Sequence, residues 1–233
     1  MRIAGLQKVS TIDYPGEICC VIFLWGCNFR CGFCYNPDLV VKPSDGQFSE
    51  EYILDFLEKR KGKLDAVCIS GGEPLMSLDL KFVRKIKDMG FKIKIDTNGS
   101  FPDKLKEMVD EELVDYIAID VKGAPDDLEK IVGVGVDLEK IEKSIKIVND
   151  LEGEFRTTVV PGLHNSEKLI RMGEWMGCVC EGKPKKIFLQ GFKASREGMI
   201  DSEFFEKKDV LEGELLRMKD SLEGLFGEVG VRV

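Results

Sequence analysis

Three cysteines fall within eight residues, Cys27-Asn-Phe-Arg-Cys31-Gly-Phe-Cys34, in the spacing Cys-x3-Cys-x2-Cys. Three thiols are one too many for a disulfide and one too few for a closed tetrahedral metal site. Thiolate is a soft ligand that suits zinc, Cu(I) and iron–sulfur clusters. Structural zinc usually takes four ligands, often as two Cys-x2-Cys pairs. No second pair follows here, because Cys178 and Cys180 are separated by one residue and lie far along the chain. The spacing fits better a cubane cluster in which one iron is not held by protein and can take a substrate. Structural zinc with a fourth ligand from elsewhere, and three incidental thiols, are the blander readings. The second is weakened because unpaired surface thiols are disfavoured.

Other polar residues share the position of the cysteines, just past a stretch that reads as a strand. Residues 18–24 are apolar and β-rich, and Gly26-Cys27 follow. Residues 66–70 precede Gly71-Gly72-Glu73-Pro74, and residues 91–96 run into Asp96-Thr97-Asn98-Gly99. Residues 116–121 carry Asp120, with Lys122 two positions on, so that both side chains lie on one face. Residues 155–160 lead to Pro161-Gly162, and residues 187–190 end at Gln190-Gly191. Helices fit between these strands. Ser49 caps one with Ile53, Leu54, Phe56 and Leu57 on one face. Others are expected at 77–89, closed by Gly90, and around 103–111. Asp137 caps a helix that turns Leu138, Ile141, Ile145 and Val148 inward. Further helices are expected at 166–176 and about 209–226, and the tail "EVGVRV" reads as a short edge strand.

Six strands alternating with helices imply a mainly parallel sheet with helices outside. Polar and glycine residues after every strand favour a barrel rim over an open sheet, which gathers its site at one switch point. The 233 residues suit one sizeable domain. A net charge of −8 and a pI near 5.0 argue against a basic nucleic-acid footprint. The longest apolar run, residues 18–25, is too short to span a bilayer, and the N-terminal stretch lacks a signal-peptide pattern. A cytoplasmic protein without membrane partners is expected. Eight cysteines in a reducing compartment suggest metal or redox chemistry before disulfides. The only histidine, His164, reads as a loop or capping residue rather than a catalytic base.

The cysteine motif, with aromatic Phe33 before its last cysteine, resembles the signature of the radical S-adenosylmethionine (SAM) superfamily, and "GGEP" at 71–74 strengthens the likeness. The stretch "GLQKVSTIDYPGEICCVIFLWGCNFRCGFCYNP", residues 5–37, is similar to activating proteins of glycyl-radical enzymes. It is closest to those of anaerobic ribonucleoside-triphosphate reductase. The resemblance implies a single radical SAM domain over residues 1–233. Its expected fold is a partial (β/α)6 TIM-like barrel with a C-terminal helix. It implies one [4Fe–4S] cluster held by Cys27, Cys31 and Cys34. SAM would chelate the fourth iron and be cleaved reductively, and the resulting radical would take hydrogen from a glycine of a partner protein. Flavodoxin or ferredoxin is the implied electron donor.

Carried over residue by residue, Gly71, Gly72 and Glu73 would meet the methionine end of SAM. Asp96, Thr97, Asn98, Asp120 and Lys122 would surround it, and the acidic residues would serve a monovalent cation where one is bound. Arg156 would face the carboxylate, while Phe33, Tyr35 and Gln190 would approach the adenine. Plain alternatives stand beside these: a tight turn at 71–74, an Asp/Lys ion pair at a strand end, and ordinary loop packing of the aromatics. This chain departs from related activating proteins in having Tyr35 where they often have histidine, and Gln190-Gly191-Phe192 where some have a histidine. Cys19, Cys20 and Cys68 read as buried hydrophobes, and Cys178 and Cys180 as inert. No cysteine-rich insert lies between Cys34 and Gly71, so one cluster is expected. Two other functions remain: a radical SAM enzyme acting on a small molecule, such as a 7-carboxy-7-deazaguanine synthase, and a non-catalytic metal or electron-carrier module.

Overall fold

The computed structural model describes residues 1–42, 45–195 and 198–233. Eight strands are found among them: β1 (Ile3–Ser10), β2 (Cys19–Leu24), β3 (Ala66–Gly71), β4 (Lys92–Thr97), β5 (Tyr116–Asp120), β6 (Gly153–Val159), β7 (Lys186–Gly191) and β8 (Glu228–Arg232). Their order in the sheet is their order in the chain. The chain divides into two compact units, Met1–Asn28 with Asp38–Thr97 and Asp103–Ile117, and Phe29–Pro37 with Asn98–Pro102 and Ala118–Val233.

In the first unit β2, β3 and β4 run parallel, with Val21 opposite Cys68 and Cys68 opposite Lys94. The sequences of β2 and β3, CCVIFL and AVCISG, are apolar almost throughout because both faces are covered. Strand β1, antiparallel to β2, is not among the six expected. Its sequence IAGLQKVS has a polar second half that is exposed, so it carries little apolar signal. Helix α1 (Pro37–Val41) buries no side chain, and helix α2 (Glu50–Glu58) buries Ile53 and Leu57. Ser49 caps α2 as expected, its side chain accepting the Tyr52 N–H. Helix α3 (Leu80–Asp88) starts later than expected. Residues 74–76 form a 3-10 turn, and Asp79 is the N-cap. Helix α4 (Pro102–Asp110) follows β4.

In the second unit β6, β7 and β8 are parallel, so the tail is the expected edge strand. Helix α5 (Pro125–Val132) was not expected; proline at its start and Gly133 in the left-handed conformation at its end define it. Helix α6 (Leu138–Asp150) turns Ile141, Ile145 and Val148 inward and packs on α7 (Ser166–Val179). The last helix, α8 (Glu212–Asp220), is shorter than the expected 209–226. The chain leaves the helix through turns that include Gly224 at φ +85°. Helix α8 packs on β7 and β8. No helix among the described residues is long and apolar enough to cross a membrane.

Candidate active site

In the first unit the turn after β2 and the loop after β3 are tied together. Gly72 N–H donates to the Leu24 carbonyl at 3.1 Å, and Glu73 N–H to the Gly26 carbonyl at 2.7 Å. Glycine is required twice here. Gly71 has φ +132°, and a Cβ on it would lie 2.3 Å from the Leu24 carbonyl oxygen. A Cβ on Gly72 would lie 2.1 Å from the Gly26 carbonyl oxygen and 3.1 Å from the Cβ of Cys27. The backbone beside Cys27 is therefore reached only by a glycine loop.

Glu73 is fully buried. Its Oε1 accepts the Leu75 N–H at 3.0 Å and the Thr97 hydroxyl at 2.8 Å, which links the loop after β3 to the end of β4. Asp96 faces the other way and forms a short ion pair with Lys94, while the Cys68 thiol donates to Asp96 Oδ2 at 3.7 Å. Lys94 is 1% exposed, so this is a buried charge with its partner supplied two residues along the same strand.

The second unit holds Cys31, Cys34, Phe33, Tyr35, Asn98, Asp120, Lys122, Arg156 and Gln190. Asp120, at the end of β5, receives two cations: Arg156 Nε at 2.8 Å on Oδ1 and Lys122 Nζ at 3.1 Å on Oδ2. Burial alone would raise the Asp120 carboxyl, but Arg156 and Lys122 outweigh it and hold it well below the usual carboxylate range. Burial alone would lower Lys122, yet Asp120 and the Cys31 sulfur keep it above the ordinary lysine value. Asp120 and Lys122 line a recess with Phe29, Asn98 and Trp175. Gln190 lies half-buried in β7, opposite Thr158 on one side and Arg232 on the other.

Burial raises the thiol of Cys31, while Lys122 opposes the rise; burial raises Cys34 as well, against a backbone hydrogen bond at Asn36. The Cys34 N–H donates to the Cys31 carbonyl at 3.1 Å. Phe33 is buried with its ring edge-on to Phe204, and the Tyr35 hydroxyl accepts the Lys193 N–H at 2.8 Å. Neither Phe204 nor Lys193 was singled out from sequence.

His164 is buried. Its Nδ1 accepts the Val160 N–H at 3.0 Å, and its Nε2 meets the Lys122 carbonyl at 2.8 Å. The first contact needs an unprotonated Nδ1 and the second a proton on Nε2, so the ring is neutral and the tautomer is set. It is a backbone fastener, as the loop reading expects, and it anchors the residue that bears the Lys122 ammonium. The period-two spacing of strands puts Lys94 and Asp96 on one face, a signal that could have flagged Lys94.

Cys19, Cys20 and Cys68 are fully buried, as expected of small apolar residues, and burial pushes the Cys20 thiol up to about 12. Cys178 is exposed, and burial with nearby Asp150 pushes Cys180 up to about 11.

None of Cys27, Cys31 and Cys34 is in a disulfide. Among the described residues, no three His, Cys, Asp or Glu side chains already converge as a metal-holding group. The donor chemistry nonetheless fits an iron–sulfur cluster: three soft thiols on one loop.

The Radical SAM superfamily model matches residues 21–173. The chain belongs to that superfamily, whose members work with a [4Fe–4S] cluster and SAM. A Methanocaldococcus jannaschii protein named for glycyl-radical enzyme activation is 38% identical over 177 residues, 72% of each chain. A pyruvate formate-lyase-activating enzyme of Clostridium pasteurianum is 28% identical over 73% of each chain. Within the superfamily, then, the chain is a radical SAM enzyme of the glycyl-radical-enzyme activating family. Among solved structures, Streptococcus suis SuiB bound to SAM superposes with a TM-score of 0.65 at 14% identity, over 91% of this chain and 51% of SuiB. This chain thus spans about half the length of SuiB. The fold is the α/β partial TIM-like barrel of these enzymes, with β1 added to the expected strands.

Proposed function

We propose that this protein generates a glycyl radical in a partner protein and that the partner is an anaerobic ribonucleoside-triphosphate reductase. The observation that carries the activating role is the 38% identity to a protein named for it, over 72% of both chains. The choice of partner rests on residues 5–37, which resemble the reductase activating proteins. We read residues 1–233 as a single cytoplasmic radical SAM domain, with flavodoxin or ferredoxin as the electron donor.

In this reading Cys27, Cys31 and Cys34 hold the [4Fe–4S] cluster. When bound, the cluster supplies the electron that cleaves the sulfonium C–S bond of SAM. The chain's own residues do the rest of the positioning. The Gly71-Gly72 backbone admits the methionine end close to Cys27, since no side chain intervenes. Glu73 keeps that loop in shape through Leu75 and Thr97. One carboxylate with two cations, Asp120 with Lys122 and Arg156, leaves the site net positive and suited to a carboxylate. Asn98 lies in the same recess and can meet ribose hydroxyls.

The test is anaerobic. The loaded protein, SAM and a reductant are mixed with purified reductase, and the EPR spectrum is searched for a glycyl radical. A radical on the reductase supports the reading. A radical formed only on pyruvate formate-lyase keeps the activating role and changes the partner. No radical on either contradicts it.

A further inference from the structure

After β7 the chain returns along the cysteine loop and touches it at three residues interleaved with the thiols. The Asp201 N–H donates to the Gly32 carbonyl at 2.9 Å, and the Lys193 N–H to the Tyr35 hydroxyl at 2.8 Å. Phe204 meets Phe33 edge-on, ring centroids 5.9 Å apart. Phe192 completes the set, stacking on Tyr35 at 6.2 Å and meeting Phe204 at 6.4 Å. The fit is closest at Gly32, where a Cβ would lie 2.6 Å from Phe204 Cε2 and 3.1 Å from Asp201 Cβ.

These contacts are braced from behind. The Asp201 side chain accepts the Glu203 N–H at 2.9 Å, which fixes the turn that carries Phe204. Lys207 Nζ sits 4.1 Å from the centroid of the Phe204 ring. Phe204 and Phe33 are 5% and 4% exposed, so the aromatic pair is buried at a residue that lies in the chain between Cys31, also buried, and Cys34, which is partly exposed. A loop of this kind, left alone, would sample many conformations, and ordering it costs affinity for whatever it binds.

We propose that Phe204, with Asp201, is a positioning residue for the cysteine loop: it holds Cys31 and Cys34 in a preformed arrangement and restricts solvent access to them. The contacts stand on their own, and only their consequence for a cluster rests on the function proposed above.

The test is residue-resolved thiol alkylation of the cluster-free protein, read by peptide mass spectrometry. Cys20 and Cys68, fully buried in strands, report global opening. Phe204→Ala removes the ring, and Gly32→Ala forces it away from the loop side. Both are expected to speed labelling of Cys31 and Cys34 by about tenfold or more, with Cys20 and Cys68 unchanged. Phe204→Leu, which keeps an apolar contact, should stay within about threefold of wild type. An unchanged Cys31 rate in Phe204→Ala overturns the proposal, as does a parallel rise at Cys20 and Cys68. Should Phe204→Ala not fold, Gly32→Ala is read by the same two criteria. In reconstituted protein, Phe204→Ala should also surrender iron to a chelator faster than wild type. Wild-type protein that takes up no cluster contradicts the proposed function and leaves the labelling result to decide on the positioning role.

Discussion

Glu73 Oε1 accepts two hydrogen bonds, from the Thr97 hydroxyl at 2.8 Å and from the Leu75 N–H at 3.0 Å, with no solvent exposure. A single buried oxygen thus joins the loop after β3 to the end of β4. Glu73→Ala strands both donors, and a loss of about 1–3 kcal/mol in unfolding free energy is expected. Glu73→Gln retains an acceptor and should unfold close to wild type. If the carboxylate charge also serves the SAM ammonium, Glu73→Gln weakens SAM binding while stability holds. Denaturant unfolding and calorimetric titration with SAM separate the two effects.

His164 is the only histidine, so one imidazole resonance set reports it. Burial is the largest influence and lowers its pKa below the ordinary 6.5, against the raising effect of its two backbone partners. A base with a depressed folded pKa stabilises the fold fully above the unfolded pKa, and that contribution is lost as pH falls below 6.5. An NMR titration should find a midpoint under 6.5 and the Nε2–H tautomer at neutral pH. His164→Ala should flatten the pH dependence of stability below 6.5.

The Asp120 carboxyl is depressed, so its pairing contributes stability above the ordinary value of 3.8 and loses it as pH falls further. Arg156→Met removes the closer of its two cationic partners. The variant should be less stable than wild type at neutral pH, and the gap should narrow as the pH is lowered below 3.8. Urea unfolding at a series of pH values measures it.

Lys94 and Asp96 form a buried pair that the expected ligand role of Asp96 did not foresee. Lys94→Met removes the cation paired with Asp96 in the interior and should cost about 3–5 kcal/mol. The double variant Lys94→Met/Asp96→Asn should recover a large part of that loss. A double-mutant cycle by denaturant unfolding gives the coupling.

How much of this was legible in sequence depended on period and punctuation. Strands β2, β3 and β5 stood out because burial on both faces makes them apolar almost throughout, while β4, β6 and β7 were marked by β-rich residues followed by polar or glycine ones. Strand β1 did not, since "QKVS" is half solvated and pairs only along one edge with β2. Helix α5 is short, Pro125–Val132, and offers little periodicity to read. At the site, the cysteines and "GGEP" were legible because their spacing is itself chemical information. The partners of Asp96, Tyr35 and Phe33 were not. Lys94 needs strand facing to be worked out, and Lys193 and Phe204 lie more than 150 residues from the cysteine loop they touch. No local pattern encodes such a contact.

The proposed cluster, held by Cys27, Cys31 and Cys34, has one iron open to SAM. The most direct measurement is EPR of anaerobically reconstituted, reduced protein, recorded with and without SAM. A reduced [4Fe–4S] signal is expected whose shape changes on adding SAM and which is lost in Cys31→Ser. Stoichiometric zinc without a cubane signal, or a cubane signal indifferent to SAM, would contradict that proposal.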